Sequence, residues 1–116
     1  HSEAYAAGEL KHGTISLIEN GTPVIAVATD EAVLAKTVSN IREVDARGAH
    51  TVLITFERFR EAAAGIKDCI FIPETFPQFS VSLSVIPMQF LSYYIAKNRG
   101  CDIDKPKNLA KSVTVE

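Results

Sequence analysis

Two residues stand out for the chemistry their types could carry. Lys111 lies between Ala110 and Ser112, five residues from the carboxy end. A lysine amine attacks a carbonyl only when neutral, so desolvation or a nearby cation must first lower its pKa. A tail folding over a ligand would supply that desolvation. The plain alternative is a solvated terminal cation, which is what most lysines near a chain end are. The other candidate is His12 in Lys11-His12-Gly13. Imidazole titrates near neutrality and suits general acid–base work, and Gly13 permits a positive φ or a close approach. Its plain alternative is a surface histidine at the end of a helix. Glu3 and Glu9 are further carboxylates in the same stretch, and both read more simply as solvated helix residues.

The carboxy-terminal stretch is locally cationic: Lys97, Arg99, Lys105, Lys107 and Lys111 are set against Asp102 and Asp104. Such a patch attracts a phosphorylated small molecule or is simply a solvated surface. No aromatic residues interleave with these cations, so nucleic acid is not an expected partner. There is no Gly-rich phosphate loop, HExxH, paired CxxC or GxSxG. His1, His12 and His50 lack ligand spacing, so neither a metal nor another cofactor is expected. The thiols Cys69 and Cys101 read as reduced, as in a cytoplasmic protein.

Positioning these groups falls to a chain of 116 residues, 47% hydrophobic and 22% charged, with net charge −2. That is too apolar for disorder and has no overall bias toward nucleic acid or a membrane. The most apolar stretch, 81–96, is interrupted by Ser82, Ser84, Pro87, Gln89 and Ser92, short of the roughly 18 unbroken residues a membrane helix needs. The chain lacks an initiating Met and shows no signal-peptide pattern, which reads as a processed or truncated product.

Residues 23–28, Pro-Val-Ile-Ala-Val-Ala, form a continuous apolar run that predicts a strand buried on both faces. Thr29 is the expected cap, followed by Asp30 and Glu31 in the first turn of a helix. Leu34, Val38, Ile41 and Val44 make its apolar stripe, and Arg47-Gly48 ends it. The pattern repeats with strands over 51–56 and 68–72, joined by a short charged helix or loop from Glu57 to Ile66. A final helix over 80–98 is apolar nearly all round and should be largely buried, with Pro87 kinking it or marking its first turn. Gly100 supplies its stop signal. Residues 1–19 are helical in composition but contain Gly8 and Gly13. Alternating strands and helices predict an α/β fold with a thin parallel sheet whose crossovers are right-handed. Its missing edge would come from preceding sequence or a partner, and residues 101–116 form an irregular tail.

The two ends carry a resemblance. Glu3-Ala4-Tyr5-Ala6-Ala7-Gly8-Glu9-Leu10-Lys11-His12-Gly13 resembles the isomerase signature of the glucosamine-6-phosphate synthases (isomerizing glutamine–fructose-6-phosphate transaminases). Asn108-Leu109-Ala110-Lys111-Ser112-Val113-Thr114-Val115-Glu116 resembles that family's carboxy terminus. The resemblance implies a partial sugar-isomerase (SIS) fold: 1–100 as the later part of a second SIS domain and 101–116 as its catalytic tail. It also implies a soluble, cytoplasmic homodimer handling fructose 6-phosphate and glucosamine 6-phosphate.

By that resemblance Lys111 forms a Schiff base with the sugar's C2 carbonyl and contributes to substrate binding. His12 opens the sugar ring in the neighbouring subunit. Ala110 lies by the sugar, and Ala110 and Val113 line the ammonia passage. The family's catalytic glutamate falls upstream of His1, and its phosphate loop and glutaminase cysteine have no counterpart here. Thr14 replaces the family's usual proline. The implied state is therefore an enzyme segment inactive by itself. The competing expectation is a stand-alone SIS-type domain that senses a sugar phosphate.

Overall fold

The computed structural model describes residues 2–105. Two compact units, His1–Ser84 and Val85–Glu116, divide the chain, and the division falls inside its last helix.

The first unit is an α/β layer with a parallel sheet in the order β1-β2-β3. Strand β1 is Pro23–Ala28, β2 is His50–Phe56 and β3 is Asp68–Ile72. Helix α1, Glu31–Asp45, makes the crossover from β1 to β2. The three strands occupy the stretches that the apolar runs predict. The cap of α1 differs by one residue: Asp30, not Thr29, takes the extended cap conformation and accepts from the Ala32 amide at 2.9 Å. A carboxylate there satisfies an orphan amide and also opposes the helix dipole. At the other end Gly48 N donates to Asp45 O at 2.8 Å and Ala49 N to Val44 O at 3.2 Å. This paired closure needs the left-handed backbone that Gly48 adopts at φ 92°.

Leu34, Val38, Ile41 and Val44 of α1 are buried, as their spacing predicts. A fully buried aliphatic side chain contributes roughly 1.5–3 kcal/mol, so this stripe is the main attachment of the helix. The face of the sheet turned to α1 is identified by Thr51, which donates to Asp45 at the end of that helix over 2.6 Å. Leu53 and Thr55 share that face of β2, and both are 0% exposed.

Three expectations are corrected. Strand β1 is not buried on both faces: Ile25 and Val27 are about 40% exposed, while only Ala28 is fully enclosed. It has one hydrogen-bonded neighbour, so it is an edge of the sheet, and central β2 takes the burial. Residues 1–19 do not form an α-helix; among the described residues they make 3-10 turns at Ala7–His12 and Thr14–Leu17, separated by Gly13 at φ 149°.

The third correction concerns helix α2, Ser80–Asn98, which carries Pro87 inside it and is mostly exposed, with Val81 at 74% and Phe90 at 59%. An all-round apolar composition sets what a helix could bury, but burial needs an element packed against each side. Together with its preceding turn, α2 (Pro77–Asn98) is also long and apolar enough to cross a membrane by length and composition alone. Of the interrupting serines, Ser84 breaks the stretch less than its type suggests. Ser80 Oγ donates to Pro77 O at 2.8 Å and Ser84 Oγ to Val81 O at 3.1 Å, so their hydroxyls are satisfied within the helix.

Candidate functional site

His12 is the last residue of the turn Ala7–His12, and its side chain is exposed. No hydrogen bond or ion pair claims the imidazole among the described residues, so it is open to a ligand or another chain. Gly13 is needed directly after it because φ 149° is strained for any residue with a Cβ, although space around a Cβ would be open.

The turn is fastened on two sides. Lys11 Nζ lies 2.7 Å from Glu43 Oε1 on α1. Across the base of the turn, the Tyr5 hydroxyl donates to the Glu3 carboxylate. The Glu3 bond, chief among the causes, holds the Tyr5 phenol above its ordinary pKa, because ionisation would remove the donated proton.

In open parallel α/β sheets ligands gather at the carboxyl ends of the strands. Here that edge carries charges the sequence reading did not single out. Arg58, just past β2, pairs with the Glu74 carboxylate beyond β3, and its backbone amide donates to Glu74 Oε1 at 3.1 Å. The Arg58 guanidinium lies 5.0 Å from the Phe56 ring centre and 4.6 Å from that of Phe59. Arg60 bonds Glu57 through two nitrogens, at 2.7 and 2.9 Å, and sits 3.9 Å over the Phe71 ring. Hydrogen bonding by Arg60 holds the Glu57 carboxyl below the usual glutamate value. The three-residue spacing of Glu57 and Arg60 was a visible signal for one pair; Arg58 and Glu74, 16 residues apart, left none. With both cations matched by carboxylates, the cluster is built as a clasp between the loops after β2 and β3, not as an anion site.

The cysteines differ. Cys69, on β3, is partly buried, and that desolvation pushes its thiol pKa up. Cys101 is exposed and lines a shallow hollow with Tyr93, Ala96, Ile103 and Lys105 in the second unit. Among the described residues no three His, Cys, Asp or Glu side chains are grouped to hold a metal ion. Lys111, Ala110 and Val113 lie outside the described residues.

Residues 1–98 match the SIS domain family. The chain is similar over its whole length, at 58% identity, to the isomerizing glutamine–fructose-6-phosphate aminotransferase of Clostridium tetani, covering 19% of that protein. It is 51% identical over 115 residues to the enzyme of the same name from Bacillus subtilis, covering 99% of this chain and 18% of the relative. The chain thus spans about a fifth of the length of these relatives. Among solved structures, the C-terminal domain of glucosamine-fructose-6-phosphate aminotransferase from Francisella tularensis superposes with a TM-score of 0.85 at 34% identity, covering 90% of this chain and 30% of that one.

Proposed function

We infer the function from one premise, that this chain belongs to the SIS domain family. We propose that it is the carboxy-terminal segment of the isomerase part of a glucosamine-6-phosphate synthase. That enzyme turns fructose 6-phosphate and glutamine into glucosamine 6-phosphate and glutamate. The observation that carries the reading is identity of 50–58% spanning the whole chain, both end motifs included, to relatives that share one enzyme name.

In this reading residues 1–100 belong to the second SIS domain and 101–116 form the catalytic tail. The Lys111 amine attacks C2 of the open-chain ketose phosphate; loss of water from the resulting carbinolamine leaves the Schiff base. His12, on its exposed turn, moves the proton that opens the sugar ring, serving the site of the second subunit of a cytoplasmic homodimer. Ala110 lies against the sugar, and Ala110 and Val113 line the ammonia passage. The segment does not turn over alone, because the residues that hold the phosphate and release ammonia belong to the rest of the synthase chain.

Borohydride trapping tests this. The segment and the full-length chain that carries it are each incubated with fructose 6-phosphate and borohydride, and adducts are located by peptide mass mapping. A reduced adduct on Lys111 in the full-length chain alone is expected. With no adduct on Lys111 in either, the catalytic reading fails and a non-catalytic sugar-phosphate-binding domain replaces it.

A further inference from the structure

The turn that bears His12 has little of its own to hold it. Its N-cap residue, Ala6, makes no side-chain cap bond, none of its residues is buried, and at its start Glu9 N donates to Ala6 O at 2.8 Å. Short 3-10 segments have poor hydrogen-bond geometry and depend on their surroundings. The turn packs against α1, and Lys11–Glu43 is the ion pair in that contact, at 2.7 Å.

Lys11 directly precedes His12. Successive side chains in a 3-10 turn project about 120° apart. A Lys11 side chain held on α1 therefore directs the imidazole of His12 away from α1 and toward solvent, and His12 is indeed exposed. The neighbouring arginines leave the Glu43 carboxylate to Lys11. Arg42 donates to Ala64 O at 3.2 Å, and Arg47 donates to the main-chain carbonyl of Glu43 at 2.7 Å.

The geometry points to Glu43 as a positioning residue: by anchoring Lys11 it sets the direction in which His12 presents its proton to the substrate. This rests on the reading of His12 as the ring-opening acid and base. Glu43 touches no substrate itself. The pair is half-exposed, with side-chain exposures of 50% and 36%, so its effect is modest.

The test uses the full-length chain and compares His12→Ala, Glu43→Gln, Glu43→Lys, Lys11→Glu and the swap Lys11→Glu with Glu43→Lys. Steady-state kinetics and melting midpoints are read for each. Expected is a roughly two- to fivefold fall in kcat for Glu43→Gln and for each charge reversal, with KM unchanged, and recovery in the swap, as a surface ion pair can supply. Introducing Glu43→Gln into the His12→Ala background should add no further loss. Unchanged kcat in Glu43→Gln, failure of the swap to recover, or the full loss repeated without His12 each overturns the positioning role. If His12→Ala itself turns over normally, the catalytic reading of His12 is what has failed, whatever the Glu43 variants do.

Discussion

The amide of Gly21 donates to the carbonyl of Gly48 over 2.7 Å, which joins the chain entering β1 to the chain leaving α1. Gly48 holds φ 92°, and a Cβ built on it would stand 3.0 Å from Asn20 Cα. Both the torsion and the backbone contact exclude a side chain. Gly48→Ala is expected to destabilise the first unit by about 1–3 kcal/mol, read as a lower urea midpoint at unchanged slope. An unchanged midpoint would show that the two loops separate freely.

Thr55 is 0% exposed, and its hydroxyl donates to Ala28 O at 2.6 Å, linking β1 and β2 at their carboxyl ends. Thr55→Val keeps the shape and removes the donor. A loss of about 1 kcal/mol is expected, near the net worth of a buried hydrogen bond. Urea denaturation gives the number, and hydrogen exchange at the ends of β1 and β2 should quicken with it.

Glu57 has its carboxyl pKa lowered by the Arg60 hydrogen bond. A depressed folded value means the stabilisation is present above the unfolded glutamate pKa and is lost as pH falls through the lower folded one. Carboxyl NMR should therefore show Glu57 titrating below a free glutamate. In Arg60→Gln the midpoint should rise toward the free value, and a midpoint that stays put would dissolve the pairing.

Cys101 is exposed, whereas Cys69 is partly enclosed with its thiol pKa raised by burial. Thiolate is the reactive form. Iodoacetamide at neutral pH should accordingly label Cys101 well before Cys69, with peptide mass spectrometry as the readout. Equal rates would mean that β3 opens readily.

Much of the first unit was legible because short-range rules settle it. The apolar runs at 23–28 and 68–72 coincide with β1 and β3, and the stripe Leu34, Val38, Ile41 and Val44 is the buried face of α1. Of the candidate residues, the sequence singled out His12 and the glycine after it, and the structure places both at the end of an exposed turn. The sequence did not show Glu43 beneath Lys11, since those residues are 32 positions apart and no periodicity connects them. Lys111 was singled out by its amine and Ala110 and Val113 through resemblance, and all three lie outside the described residues.

The sequence by itself determined where the three strands and the two long helices form, to within a residue or so at their ends, because alternation, capping and glycine placement act within a few residues. Tertiary structure alone decided which of those elements are covered. Runs as apolar as β1 and α2 look buried from composition, yet Ile25 is 41% exposed and Phe90 59%. The physical reason is that burial depends on what packs against a residue, and its neighbours in space come from distant parts of the chain. The same holds for the charge pairs: Arg58 meets Glu74 only because parallel pairing of β2 with β3 brings the loops that follow them side by side.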